Sequence, residues 1–234
     1  GDSGDGMQLT GTQFTQSTAL MGNDLATFPD FPAEIRAPAG TLFGVSSFQI
    51  NFGSRVIKTA GDAFDVLIAM NPAALKVNMD QLPSGSLIIV DSGTFNKRNM
   101  EKAGFDENPL ENGTLDKFRA LKIDISKHTL EAVKDQGLTS KEGLRCKNFW
   151  TLGLIYWLYD RNRKPTVDWL NAKFQNRPEI AKANIASGVA VISTTAETAK
   201  TYGQDITSLI GEDLNRIQDS YYYQQFSYEI EAGF

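Results

Sequence analysis

Two short apolar runs, DVLIAM at 65–70 and SLIIVD at 86–91, constrain the fold of this 234-residue chain more than any other feature. Neither alternates polar with apolar residues, so each reads as a strand covered on both faces, the habit of a buried parallel sheet. Between them lies NPAALKVNMDQLPSG, in which Asn71 is placed to cap a helix and Pro72 to begin it. A strand–helix–strand unit follows. FRALKIDI at 118–125 adds a further strand, with Ser126 expected to cap a helix running through Glu131 to Gln136.

The flanking segments read more loosely. Met7, Gly11, Phe14, Thr18 and Met21 recur at helical steps, and Gly22-Asn23-Asp24 supplies a stop. A strand-like piece at 25–28 leads into PDFPAEIRAPAG, where Pro29, Pro32 and Pro38 forbid a regular helix and imply a stiff loop. Residues 41–52 are strand-like again, and the polar segment 93–115 reads as loop-rich. The second half is helical: NFWTLGLIYWLY at 148–159 is apolar all round but too short to span a bilayer, and further helices start at Pro165 and near Pro178. The expected fold class is therefore α/β, a mostly parallel sheet flanked by helices with a helical second half. The expected organisation is one domain over 1–202 and a polar, tyrosine-rich extension over 203–234.

Composition removes whole classes of function. A formal charge of −5 and a pI near 5.0 leave no basic stripe for nucleic acid. No apolar run reaches membrane-spanning length, so no membrane partner is expected and the default address is cytoplasmic. One cysteine, Cys146, and one histidine, His128, cannot build a thiolate–imidazole zinc site or a four-cysteine iron–sulfur cluster. No metal ligands are assigned.

The opening GDSGDG invites a nucleophilic reading of Ser3, but the sequence gives that serine no partner. His128 follows it where a chymotrypsin-like order needs a preceding histidine, and the flanks do not make G-x-S-x-G. His128 itself reads as a solvated helix residue. The glycines serve better as a turn into a helix N-terminus, where free backbone N–H groups receive phosphate. Tight packing alone is the plainer alternative. Gly1, Gly4 and Gly6 do not follow G-x-G-x-x-G, so the dinucleotide fingerprint is absent as written.

Taken in order, GDSGDGMQLTG, PDFPAEIRAPAG, DVLIAMNPAAL, SLIIVDSG and KNFWTLGLI resemble the gamma domain of 2-oxoacid:ferredoxin oxidoreductases. The resemblance covers nearly all of residues 1–200. It is strongest to the amino-terminal part of the alpha subunit of the 2-oxoglutarate type, in which gamma and alpha domains are fused. It implies a thiamine diphosphate enzyme that oxidatively decarboxylates a 2-oxoacid to an acyl-CoA and passes electrons through iron–sulfur clusters to ferredoxin. The gamma domain is associated with coenzyme A and subunit packing. Thiamine diphosphate and the clusters are expected elsewhere in the complex, with the thiamine-binding domains and the beta subunit as partners. The chain itself is expected to be a non-catalytic domain excised from a longer subunit.

Residue by residue, the family's G-x-G-G-Q-G turn falls on Gly1, Gly4 and Gly6, with Ser3 in place of a glycine and Asp5 in place of the glutamine. Its P-E-[MI]-R-G-G loop falls on 33–38, where Glu34 and Arg36 match and the two glycines do not. Arg36 has the chemistry to grip phosphate; a Glu34–Arg36 contact that fixes the loop against a partner is the alternative. Asn71 matches the family's N-x-x-A turn. Lys147 and Asn148 match K-N-x-x-x-L-G, with Asn148 read as a helix cap. Gly4, Arg36 and Asn71 are expected to face one crevice at the carboxyl ends of the strands. Two other functions stand beside this one. A Rossmann-type enzyme would need an acidic ribose ligand, for which Asp24 has the spacing. A purely structural module would use Trp150, Trp157 and the Tyr221–Tyr222–Tyr223 tail as interface aromatics.

Overall fold

A computed structural model describes residue 1 and residues 6–30 and 45–202, with side chains as far as Val191. Glu34, Arg36, Gly4 and the tyrosine-rich tail lie outside the described residues. The elements run α1 (Met7–Leu20), β1 (Asp24–Asp30), β2 (Ser47–Gly53), β3 (Val66–Ala69), α2 (Pro72–Asn78), β4 (Leu87–Asp91), α3 (Lys97–Lys102), β5 (Arg119–Ile123), α4 (Ile125–Val133), α5 (Ser140–Gly143), α6 (Lys147–Leu158), α7 (Lys164–Lys173) and α8 (Pro178–Tyr202). Residues Gly1–Val191 form one compact unit, and the packing below is that of this unit.

The two apolar runs do make neighbouring parallel strands. β3, β4 and β5 form a three-stranded parallel sheet with β4 in the centre, in register Ala69↔Val90 and Ile88↔Ala120. Every residue of β4 is buried, which explains its unbroken apolar run. The crossover helix α2 begins as its sequence requires: Pro72 occupies the first turn, and Asn71 Oδ1 accepts a hydrogen bond from the Ala74 N–H at 2.7 Å. Leu75, Ile88, Val90, Phe95 and Phe118 close one face of the sheet into a single apolar cluster.

The second core is helical. β1 and β2 pair antiparallel as a separate two-stranded sheet, Thr27 opposite Ile50, and α1 packs against them. Phe14 of α1 meets Phe149, Leu152 and Tyr156 of α6 and Leu170 of α7, with Ile50 and Phe52 of β2 against the cluster. α6 is buried on most sides, and Trp150 is fully enclosed. Gly153 lets α6 and α8 touch backbone to backbone, for a Cβ there would lie 2.2 Å from the Gly188 carbonyl oxygen.

Three local expectations are corrected. Ser126 does not cap α4: Asp124 does, its Oδ1 accepting from the Lys127 N–H at 2.9 Å, so the helix starts one residue before Ser126. Asn148 does not cap α6, because a 3-10 turn over Leu144–Cys146 runs straight into the helix and leaves Asn148 inside its first turn. His128 is only partly solvated: its side chain is 25% exposed and its ring stacks on Trp150 at 6.2 Å between centroids. The segment 93–115 is loop-rich as expected, and within it Asn96 caps the short helix α3 through a hydrogen bond from Asn99.

Candidate ligand site at the carboxyl edge of the parallel sheet

The carboxyl ends of β3, β4 and β5 deliver Asn71, Asp91 and Asp124 to one edge. Asp91 is the anchor. It is fully buried, and its carboxylate accepts from the Ser126 N–H at 3.2 Å, the Ser126 hydroxyl at 2.8 Å and the Lys147 ammonium at 3.1 Å. A carboxylate in that position is tolerated because each oxygen is met by donors and one partner is charged. The contacts tie the end of β4 to the first turns of α4 and α6. Thr94 Oγ1 bridges the Asp91 and Met70 carbonyl oxygens at 2.7 and 3.1 Å, joining the ends of β3 and β4. A Cβ on Gly93 would stand 2.2 Å from Asp124 Oδ1, so a side chain there would displace the carboxylate that caps α4.

The glycine turn enters from α1. Gly6 sits at the helix N-cap with φ 73°, a left-handed conformation that glycine adopts without strain, and among the described residues no side chain caps the helix. No acidic residue lies in the first turn of α1 itself, where the leading N–H groups carry the positive end of the helix dipole. The carboxamide of Asn148 lies against Gly6: a Cβ on Gly6 would fall 2.6 Å from Asn148 Nδ2. Asn148 is 5% exposed, and its Oδ1 has no hydrogen-bond partner among the described residues. Thr10 Oγ1 donates to the Asn148 carbonyl at 3.2 Å and fixes α1 on α6. Gly1 plays a different part, since its nitrogen donates to Ser46 O and its carbonyl accepts from Ser46 N, at 3.0 and 2.8 Å.

Of the residues singled out from sequence, the structure thus places Gly6 and Asn71 at helix N-termini, and Gly1 in a backbone pairing. It adds Asp91, and it brings Ser126, Lys147 and Asn148, which the sequence marks as caps or motif matches, to that same region through contacts with Asp91 and Gly6. The signal for Asp91 was present in SLIIVD, where a charge closes an otherwise apolar buried strand. Asp24 is not a ribose ligand by position: it opens the antiparallel strand β1, and its carboxylate accepts from the Leu25 and Ile57 N–H groups at 3.0 and 2.7 Å. Cys146 does not supply a cluster ligand set. It is the chain's one cysteine, and burial pushes its thiol up to about 11, away from the thiolate a metal needs.

A family model of the pyruvate ferredoxin/flavodoxin oxidoreductases matches residues 1–189. The chain belongs to this family. It is 54% identical over 185 residues to the 2-oxoglutarate oxidoreductase subunit KorA of Mycobacterium tuberculosis, a match that takes in 79% of this chain and 28% of that protein. The chain therefore spans under a third of the curated relative it matches. Its fold is shared with the gamma subunit of a keto/oxoacid ferredoxin oxidoreductase from Geobacter sulfurreducens, with a TM-score of 0.52 at 15% identity over 82% of this chain and 95% of that one. Membership of this oxidoreductase family and an α/β gamma-type fold are consistent with the resemblance read from the motifs. No described helix is long and apolar enough to cross a membrane.

Proposed function

We propose that this chain is the gamma domain of a 2-oxoacid:ferredoxin oxidoreductase acting on 2-oxoglutarate, that it helps bind coenzyme A, and that it packs against the other subunits without catalysing a step itself. Thiamine diphosphate and iron–sulfur clusters, held by the thiamine-binding domains and other parts of the enzyme, supply decarboxylation and electron transfer to ferredoxin in the cytoplasm. The observation that carries the coenzyme A reading is the carboxyl edge itself. There Gly6, at a helix N-terminus that no side chain among the described residues caps, packs on Asn148, whose buried carboxamide oxygen has no partner among the described residues, and the neighbouring Lys147 reaches Asp91 at the end of β4. Open α/β sheets take their ligands at this edge, and helix N-termini favour phosphate. Gly1, Gly4, Gly6, Glu34, Arg36 and Asn71 are the proposed contacts from the motif match, with 1–202 as the domain and 203–234 as its extension.

The assembly role draws on a different face. Leu20, Met21 and Phe28, at the end of α1 and in β1, are 66%, 48% and 58% exposed, more apolar surface than an isolated domain gains from showing.

The test uses the complete oxidoreductase. Hydrogen exchange is followed with saturating coenzyme A and with NAD as control, and affinities are measured by calorimetry. Coenzyme A should protect amides of β4, α4 and the first turns of α1 and α6, and dephospho-CoA should bind more weakly. Protection confined to other domains would overturn the coenzyme A assignment, and protection by NAD alone would favour the dinucleotide alternative.

A further inference from the structure

Lys147 spends one of its three N–H donors on Asp91 and is 14% exposed. Among the described residues no other acceptor takes the remaining two. A pair of this kind is a poor way to stabilise a fold, because desolvating both charges offsets most of their attraction and an apolar pair of similar volume would hold as well. What the arrangement does supply is a cation at a fixed point. Asp91 cannot swing, since the Ser126 N–H and hydroxyl hold its two oxygens from the other side. Lys147 is in turn rooted in the first turn of α6, one residue from the Asn148 that packs on Gly6. The ammonium is thus mounted at the end of the central strand, with two donors to spare.

We infer that Lys147 is a phosphate-binding residue of this edge and that Asp91 is its positioning residue. The two remaining N–H donors of Lys147 take oxygens of a phosphate ester on the nucleotide-bearing thiol cosubstrate. Lysine suits this as a compact point charge that needs no planar, two-pronged partner. The inference rests on the coenzyme A reading above and adds to it the group that is gripped and the residue that grips it.

Removing Lys147 alone would strand a buried carboxylate and threaten the fold, so the variant of choice in the complete enzyme is the pair Asp91→Asn with Lys147→Met. It removes both charges and keeps the volume. The KM for coenzyme A should rise about tenfold to a hundredfold, the range for losing hydrogen bonds to a charged group, while kcat stays within about twofold. Pantetheine, which has the thiol but no phosphate, should bind the variant and the parent alike. An unchanged KM for coenzyme A, or equal weakening of coenzyme A and pantetheine, would overturn the inference. Lys147→Arg keeps the charge pair and serves if the double variant does not assemble: its displaced donors should raise the coenzyme A KM about threefold or more and leave pantetheine alone, and no change would again count against the assignment. Hydrogen exchange separates the two levels of the argument. Protection of the β4 and α6 edge by coenzyme A with an unmoved KM sinks the role of Lys147 alone, whereas absence of that protection sinks the coenzyme A reading as well.

Discussion

Around β4, up to Asp91 at its end, the packing is apolar, with Leu75, Ile88, Val90, Phe95 and Phe118 in one cluster. Around α6 the core is threaded with hydrogen bonds: the Tyr156 hydroxyl donates to the Gln13 carbonyl at 3.0 Å and sits 2.7 Å from Thr166 Oγ1, which donates to Gln13 Oε1 at 2.8 Å. The first core is held by volume, and the second by fit. A parallel sheet buries both faces whatever side chains it carries, provided they are apolar and fill the space. Helices α1, α6 and α7 meet along irregular surfaces, so small residues and specific donors set how closely they approach. The ligand edge lies where the two styles meet, at the end of β4 and the start of α6.

Truncation should therefore hurt the sheet core most. Leu75 is fully enclosed between α2 and the strands, and Leu75→Ala is expected to cost about 3 kcal/mol, from lost transfer energy plus the cavity left behind. Denaturant unfolding monitored by circular dichroism measures it. A cost below about 1 kcal/mol would show that the sheet relaxes around the hole and is not held by volume.

Addition should hurt the helical core instead. Gly153→Ala places a methyl 2.2 Å from the Gly188 carbonyl oxygen, and the obstacle is backbone, not a side chain that can rotate away. The expected loss is about 2–3 kcal/mol, at the upper end for overpacking, although alanine favours a helix over glycine by about 1 kcal/mol. Thermal unfolding of Gly153→Ala beside the parent reads the difference directly. A stabilised variant would mean that α6 and α8 separate freely, and the contrast between the cores would fail.

The same contrast has a signature in pH. Burial pushes the phenols of Tyr156 and Tyr159 up to about 12, against about 10 when unfolded, because the enclosed site disfavours the phenolate. A raised folded value means that the neutral phenol favours the native state. Its contribution is fully present below pH 10 and disappears as pH rises from 10 to 12. Each tyrosine accounts for on the order of 2 kcal/mol across that window. Stability followed from pH 9 to 12, with phenolate absorbance recorded alongside, should show the helical core failing as these groups ionise, and Tyr156→Phe should flatten part of the slope. A flat profile to pH 12 would show that the enclosure is looser than the packing implies.

The legible part of the molecule was the part governed by period and composition. DVLIAM and SLIIVD are strands because a doubly covered strand has nowhere to put a polar residue, and Asn71-Pro72 opens α2 because both residues suit a helix start. What escaped were the features that depend on who stands opposite. Ser126 and Asn148 both have the chemistry of caps. Yet Ser126 is drawn to Asp91 from 35 residues away, and Asn148 faces Gly6 from 142 residues away. His128 looked polar and solvated because its stacking partner, Trp150, is 22 positions away on another helix. The candidate site was legible only in outline: Gly6 and Asn71 fall at the helix starts the motifs suggest, while the Asp91–Lys147 pair exists only once β4 and α6 have met.

Asn71 gives the smallest expected effect and the finest discrimination, because it belongs to the apolar half by position and to the ligand edge by placement. Its carboxamide oxygen caps α2 through Ala74 N, so Asn71→Ala should cost about 1 kcal/mol. Asn71→Asp keeps an oxygen at the same place and adds a negative charge that the helix N-terminus favours, so stability should fall by less than about half of that amount or rise slightly. If the residue serves only the fold, the affinity for coenzyme A should follow stability, with aspartate the better of the two. If it also faces a phosphate, the order inverts: aspartate binds coenzyme A more weakly than alanine does, because a carboxylate repels the ligand that a shortened side chain merely ceases to touch. Paired melting curves and titrations of the two variants in the complete enzyme decide between these orders. The inverted order is the expected one, and parallel orders would return Asn71 to the sheet half as a cap and nothing more.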